Sequence, residues 1–171
     1  NRNQEAADVL KGGLQRFPNN TDLLYHYSMV LEKLGKFDEM EKSLRRVMQL
    51  APGNQHAYNA LGYSLADRNI RLPEALELIQ KAADLAPEDP FIADSLGWVL
   101  FRMGRAEQAE TQMRRAYGLR PDVEIGVHLG EVLWTNGKQD EARKVWQEGL
   151  KNTPDSPIIY DTLKRLKLID D

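Results

Sequence analysis

The sequence contains no cysteine, no long hydrophobic run and little net charge. Without cysteine the chain cannot form a disulfide framework, a thiolate metal site or a thiol nucleophile. No stretch approaches the roughly 18 apolar residues that a transmembrane helix requires, so no membrane span is predicted. The 23 basic and 26 acidic residues leave a formal net charge of −3, which disfavours nucleic-acid binding because that function usually requires a basic face. The 42% of hydrophobic residues is nevertheless enough for a packed core.

Glycine and proline recur along the chain with a common period. Leu-Gly pairs end at Gly62, Gly97 and Gly130, which are 35 and 33 residues apart. Prolines at spacings of 34, 35, 34 and 33 residues follow the same period at Pro18, Pro52, Pro87, Pro121 and Pro154. Because two independent markers share one period, and because 171 residues are close to five such periods, the sequence predicts a repeat protein.

Each repeat unit is predicted to be a pair of helices. In the third unit, Ala93, Leu96 and Leu100 have the spacing of one face of a helix, and a second apolar helix follows after a turn. Proline closes the unit because it cannot continue a helix. Small residues such as Gly62 and Ala75 are expected to let the two helices approach closely, which offsets the roughly 1 kcal/mol that a glycine costs inside a helix.

The pattern resembles the tetratricopeptide repeat, whose signature places Leu-Gly, aromatic, Ala, Phe and Pro residues at fixed offsets. The resemblance implies an all-α fold, a right-handed superhelical solenoid of about ten helices. Full units are predicted at residues 21–54, 55–89, 90–122 and 123–155. Residues 1–20 fit a half repeat with a second helix only, and residues 156–171 fit a C-terminal capping helix. We therefore expect a single array over residues 1–171 that is the C-terminal part of a longer one, because repeats bury their faces against neighbours.

The sequence offers no pattern for catalysis or metal binding. Gly62-Tyr63-Ser64 superficially resembles a nucleophile elbow, but that motif requires a strand-to-helix turn and here it falls inside a predicted helix. His26, His56 and His128 lie in three different units, and none forms the i, i+4 pair of a metal-binding helix. We predict a protein that is not an enzyme and has no catalytic residues, metal site or cofactor.

The first helices of the units are expected to line a concave face. On the third of them, Phe91, Asp94, Trp98 and Phe101 lie opposite the side that packs in the core, and three of these are large aromatic residues. Aromatic side chains among polar groups are typical of protein-binding surfaces. We predict that a protein or peptide partner binds in a groove here. The predicted groove residues are Tyr25, Met29, Asn59, Tyr63, Phe91, Asp94, Trp98, Phe101, Glu131 and Trp134.

Some groove residues have a structural alternative. Phe101 and Trp134 equally fit the gap between successive first helices, which solenoid neighbours share. Asp94 and Asn59 equally fit hydrogen bonds that tie adjacent helices together. His128, at the edge of the groove, is interpreted as a surface or inter-helix residue.

The charge of the groove narrows the choice of partner. Tetratricopeptide adaptors of chaperones hold a terminal carboxylate with a clamp of basic residues, but this sequence has Tyr25, Met29, Asp94 and Trp98 where that clamp would be. Acidic residues outnumber basic ones in the predicted groove, so an extended segment with apolar residues and some positive charge fits better. Trp98 and Tyr63 are the expected exposed anchors.

Three stretches, residues 60–65, 94–99 and 128–134, resemble more specifically a family of bacterial envelope tetratricopeptide proteins, many of them outer-membrane lipoproteins. The resemblance covers about residues 54–152. It implies a periplasmic scaffold that is anchored to the outer membrane by a lipid upstream of this sequence, with a carboxyl-terminal processing protease as one partner. A cytoplasmic location is the alternative. The alternative functions are a regulatory or accessory domain of a larger enzyme and a homo-oligomerisation module.

Overall fold

A computed structural model describes residues 2–170, and in that range the chain forms helices joined by short connections, with no strand. The helices of the described residues are α1 (Arg2–Arg16), α2 (Thr21–Lys33), α3 (Phe37–Leu50), α4 (Gln55–Asp67), α5 (Leu72–Leu85), α6 (Pro90–Arg102), α7 (Ala106–Leu119), α8 (Val123–Thr135), α9 (Gln139–Asn152) and α10 (Pro157–Arg165). The predicted all-α fold of about ten helices is confirmed.

The helices pack mainly against their neighbours in the chain. The closest pairs are α2 with α3, α4 with α5, α6 with α7, and α8 with α9. Helix α1 packs on α2, and α10 packs on α8 and α9. Units contact each other where a second helix meets the next first helix, at α3/α4, α5/α6 and α7/α8, and where α6 meets α4 and α8. We call the face of α2, α4, α6, α8 and α10 the concave face.

The first helices begin at side chains that cap them. In α2, α4, α6 and α8 an Asn or Asp side chain accepts a hydrogen bond from a backbone N–H of the first turn, as in α6, where Asp89 accepts from the amides of Phe91 and Ile92. Such caps satisfy backbone donors that have no partner inside the helix. The capping residues of α2, α4, α6 and α8 are Asn20, Asn54, Asp89 and Asp122.

The second helices follow tight turns instead. Gly35, Gly104 and Gly137 adopt φ values of +70°, +76° and +79° in these turns, a conformation that glycine adopts without steric cost. The turn between α4 and α5 is different because it has four connecting residues where the others have three. There Asn69 and Arg71 adopt the left-handed conformation.

The two helices of a unit approach each other at glycine. A Cβ atom added to Gly62 would lie 2.6 Å from Ile79 Cγ1, and one added to Gly130 would overlap the indole of Trp146. Ala75, on the facing helix, is completely buried. The predicted close approach at small residues is confirmed. The resulting hydrophobic cluster is continuous from Leu24 to Ile159.

None of the helices in residues 2–170 combines the length and apolar character needed to cross a lipid bilayer.

Candidate functional site

The middle of the concave face is a cluster centred on His128 of α8. The His128 Nδ1 atom lies 2.8 Å from Asp94 Oδ2 of α6, so the ring N–H donates to the carboxylate. The imidazole also stacks on Trp98, with ring centroids 4.3 Å apart. On its other side, His128 Nε2 lies 3.5 Å from the hydroxyl of Tyr63, which comes from α4. Three predicted groove residues thus meet around one histidine. We call Tyr63, Asp94, Trp98 and His128 the His128 cluster.

The cluster closes the central part of the face. Trp98 is only 5% exposed, so its predicted role as an exposed anchor is wrong. The physical reason is that His128 of the next unit covers one face of the indole, while Phe101 packs 5.4 Å away. Asp94 is 6% exposed and ties α6 to α8, which was the structural alternative for this residue.

Nearby acidic groups shift the protonation of the cluster. Burial disfavours the charged form of His128, but the hydrogen bond that His128 donates to Asp94 and the negative charges of Asp94, Glu131 and Asp67 outweigh it and raise the histidine pKa. Burial, with further contributions from Asp67 and Asp94, also raises the pKa of the Tyr63 hydroxyl. The concave face therefore carries a negative potential at its centre.

Glu131, which the sequence predicted to line the groove, instead binds helix α10 through its carboxylate. Arg165 of α10 donates two hydrogen bonds to its carboxylate, at 2.9 and 2.6 Å. Glu131 is 5% exposed, and such bidentate pairs combine strength with a defined geometry. Arg165 thereby joins α10 to α8.

The remaining aromatic residues have separate positions. The Trp134 ring lies 6.0 Å from the Trp146 ring of α9, so it faces the second helix of its own unit. Phe101 is half-buried beside Trp98. Phe91, at the start of α6, is 39% exposed. Trp134 therefore packs within its own unit and not in the gap between successive first helices, and Phe101 contacts Trp98 of its own helix.

The part of the concave face formed by α2 and α4 is more open. Three side chains here are half-buried: Tyr25, Met29 and Tyr63. In the described part of the chain, no ion pair covers their exposed sides in the way that Arg165 covers Glu131. The Tyr25 ring lies 6.3 Å from His56 of α4, and burial together with the charge of Glu32 raises the pKa of its hydroxyl. We call Tyr25, Met29, Glu32, His56 and Tyr63 the open half-groove; Tyr63 borders both regions, since its hydroxyl lies near His128 of the closed cluster.

Asn59 lies on α4 next to this region. Its Oδ1 atom is buried and has no hydrogen-bond partner among the described residues, and the same is true of Asp94 Oδ1 and Trp98 Nε1. The structural alternative for Asn59, a hydrogen bond to an adjacent helix, is therefore not seen at this oxygen.

The interpretation of His128 as an inter-helix residue is confirmed, but its contacts with Asp94, Trp98 and Tyr63 were not predicted. His128 lies 34 residues after Asp94, which is one repeat period. Residues one period apart face each other across adjacent first helices, so this spacing was the available signal. The residue type alone did not indicate the role of His128, because a single histidine in a helix matches no sequence motif.

Comparison with known families identifies the repeat. Two family models, each described as "Tetratricopeptide repeat", match residues 1–62 and 95–157, which together make up more than half of the chain. The chain belongs to the tetratricopeptide-repeat family. Arrays of this family bind protein partners and are generally non-catalytic scaffolds.

Solved structures show the same solenoid fold. The tetratricopeptide protein TTC0263 of Thermus thermophilus is 21% identical, with a TM-score of 0.86 over 98% of this chain and 92% of that one. MamA of Desulfovibrio magneticus RS-1 is 22% identical, with a TM-score of 0.72 over 90% of this chain and 88% of that one. At these identities the likeness concerns the fold alone.

Curated relatives are much longer than this tetratricopeptide array. The "TPR repeat-containing protein PA4667" of Pseudomonas aeruginosa is 46% identical over 128 residues, 75% of this chain and 22% of that protein. The human "Protein O-mannosyl-transferase TMTC1" is 27% identical over 174 residues, 99% of this chain and 20% of that protein. The chain thus spans about a fifth of the length of these relatives.

Two chemical features of the array bear on catalysis. Ser64 is 2% exposed and lies inside α4, so it is not on the strand-to-helix turn that a nucleophile elbow requires. Within residues 2–170, no group of three histidine or acidic side chains is placed to hold a metal ion.

Proposed function

We propose that this array is a non-catalytic scaffold that binds an extended segment of a protein partner in the open half-groove. The observation that supports this proposal is the contrast between the two parts of the concave face. On α6 and α8, Asp94, Trp98 and Glu131 are at most 6% exposed, whereas Tyr25, Met29 and Tyr63 on α2 and α4 keep part of their surface exposed. Half-exposed aromatic and methionine side chains are favoured contact residues of protein interfaces.

The partner segment is expected to carry apolar residues and positive charge. Glu32 and Asp67 both act electrostatically on Tyr63, and Asp94 and Glu124 add to the same negative potential. A basic side chain in the partner would be attracted to this region, and apolar side chains would contact Tyr25 and Met29.

The groove is tested with two matched extended peptides, one alternating Leu with Arg and one alternating Leu with Glu. We expect the Leu/Arg peptide to bind more tightly, and Met29→Ala or Tyr63→Ala to weaken its binding by about fivefold, since an average contact residue contributes about 1 kcal/mol. Tyr160→Ala, which removes an exposed aromatic ring from α10, is the control and should leave the affinity unchanged. Equal binding of both peptides, or binding unaffected by the α2 and α4 variants, contradicts the groove.

We further propose that the full-length protein works in the periplasm, anchored to the outer membrane by a lipid upstream of this sequence, and docks a carboxyl-terminal processing protease. The resemblance of residues 60–65, 94–99 and 128–134 to envelope tetratricopeptide proteins supports this, as does the 46% identity to a bacterial relative. Fractionation of cells and interferometry with the purified protease test the two parts separately. Recovery of the protein in the cytoplasm, or no binding of the protease, contradicts the respective part.

A second candidate function is a regulatory or accessory module of a larger enzyme. It is favoured by the match of almost the whole chain to one fifth of a protein named as an O-mannosyl-transferase. Assay of the full-length protein for glycosyl transfer, with and without this array, distinguishes it from a scaffold. Transfer activity that depends on the array would support the enzyme module and contradict the scaffold.

A further inference from the structure

Consecutive second helices are joined by charged residues, and the junction between α3 and α5 shows the pattern. Glu41 of α3 accepts hydrogen bonds from Arg45 on its own helix, at 2.7 Å, and from Arg71 at the start of α5, at 2.5 Å. Arg45 also pairs with Glu74 of α5. Four charged side chains therefore bridge the two units.

The junction between α7 and α9 repeats this network. Glu110 accepts from Arg114, at 2.8 Å, and from Lys138 at the start of α9, at 2.7 Å. Arg114 also pairs with Glu141 of α9, at 2.7 Å. Counted from the buried small or apolar residue of each unit, these four side chains occupy the same repeat positions as the four of the α3/α5 junction.

The junction between α5 and α7 lacks the network. Its four corresponding positions are Leu76, Gln80, Arg105 and Gln108, so the acid of the first position is replaced by leucine. Gln80 instead donates a hydrogen bond to Asp84 on its own helix. Among the described residues Arg105 has no ion pair, although its counterparts Arg71 and Lys138 each have one.

A surface cavity of about 730 Å³ lies where the network is missing. All four residues at these positions line it, together with Leu96 and Leu100 of α6. This volume is in the range of ligand pockets, and its lining joins apolar side chains to a cationic group without a partner. The cavity lies between second helices, so it is separate from the open half-groove.

We propose that the α5/α7 junction is a docking site for a segment of a partner protein that carries an apolar side chain next to a carboxylate. The apolar group contacts Leu76, Leu96 and Leu100, and the carboxylate pairs with Arg105 as Glu41 pairs with Arg71 in the first junction. A single carboxylate fits better than an acidic run, because the cations Arg105 and Lys81 share the lining of the cavity with the acids Glu77 and Asp84. The partner thus completes a network that the array completes by itself at the α3/α5 and α7/α9 junctions.

The test is a selection from a library of random peptides of about 15 residues displayed on phage. The library is selected on the array and counter-selected on a triple variant, Leu76→Glu, Gln80→Arg and Gln108→Glu, which restores the charged network. This step removes peptides that bind the concave face or the ends. We expect enriched sequences to combine an acidic residue with Leu, Ile or Phe.

Affinities of the enriched peptides are then measured by fluorescence anisotropy. Arg105→Gln should weaken binding by about fivefold, the equivalent of about 1 kcal/mol for one ion pair. Lys36→Gln is the matched control, since it changes the same repeat position in the first unit and should leave the affinity unchanged. Arg105 is exposed, so its replacement tests the site even if the triple variant does not fold.

Three results overturn the proposal. One is the failure of any sequence to be enriched over the counter-selection. Another is the enrichment of sequences without an acidic residue. The third is an affinity that Arg105→Gln leaves within twofold of the unmodified array. None of these results depends on binding in the open half-groove, so the two proposals fail separately.

Discussion

Asp94 of α6 holds His128 of α8 through a 2.8 Å hydrogen bond, and this contact joins two repeats at the centre of the concave face. The bond orients the imidazole so that one of its faces stacks on Trp98 and its other nitrogen lies near Tyr63. Three successive first helices are connected in this way. The face is therefore divided into a closed centre and an open half-groove.

The Asp94–His128 contact should make stability depend on pH. The pKa of His128 is raised in the folded state, so the contact contributes fully below the unfolded pKa of 6.5 and its contribution is lost as the pH rises through the folded value. We expect His128→Gln to reduce the free energy of unfolding more at about pH 5.5 than at about pH 9. Urea titrations at both pH values measure this. A difference between wild type and variant that is the same at both pH values contradicts the expectation.

Trp98 should determine stability more than partner binding. Because it is 5% exposed and packs against His128 and Phe101, Trp98→Ala is expected to lower the free energy of unfolding by about 3–5 kcal/mol. Phe91→Ala, on the same helix but 39% exposed, should cost about 1 kcal/mol or less. Chemical unfolding of both variants tests the contrast. A Trp98→Ala variant as stable as Phe91→Ala would show that the indole is not part of the core.

Gly130 should be intolerant of any side chain. A methyl group there would overlap the indole of Trp146, and overpacking of this kind costs about 1–3 kcal/mol. Gly12→Ala is the control, because Gly12 lies inside α1 with no atom within 4 Å of the added Cβ. Alanine there should stabilise the helix by up to about 1 kcal/mol. Melting temperatures that move in the same direction for both variants contradict the packing argument.

Glu110 should make the α7/α9 junction sensitive to acid. Burial of the Glu110 carboxylate opposes its ionisation. Hydrogen bonds from Lys138, Asn136 and Arg114 outweigh this effect and lower the pKa of Glu110 from 4.5 to about 2. A lowered pKa gives stability that is present above 4.5 and is lost as the pH falls toward 2. Glu110→Gln should therefore lose less stability than wild type over that interval.

An acid titration followed by circular dichroism measures this loss. Glu107→Gln is the control, since Glu107 is exposed on the same helix and has no ion pair among the described residues. The Glu107→Gln variant should lose stability over the same pH interval and to the same extent as wild type. If Glu110→Gln also follows the wild-type curve, the carboxylate does not stabilise the junction.

The repeat period and the position of the small residues could be predicted from the sequence because both depend on local geometry. The spacing of Gly62, Gly97 and Gly130 marks where two helices of one unit touch, and these contacts involve residues fewer than twenty positions apart. A helix pair imposes the same constraint in every unit, so the pattern repeats and becomes visible. The fold followed from that repetition.

The composition of the groove could only be predicted in part. Helical angle places Trp98 and Glu131 opposite the core of their own unit, but it does not show what the next unit puts over them. His128 covers Trp98 from 30 residues away, and Arg165 neutralises Glu131 from 34 residues away. The angular position of a residue on its own helix therefore predicts packing within that unit but not contacts with the next unit.

The sequence by itself determined the helices, their pairing within units and the family, because these depend on short-range periodicity and on where glycine permits close packing. Only the tertiary structure decided which side chains of the concave face remain accessible and which junctions between second helices have ion pairs. Both depend on side chains that meet across adjacent units, where a single substitution such as Leu76 in place of a glutamate changes the contact but leaves the repeat pattern intact.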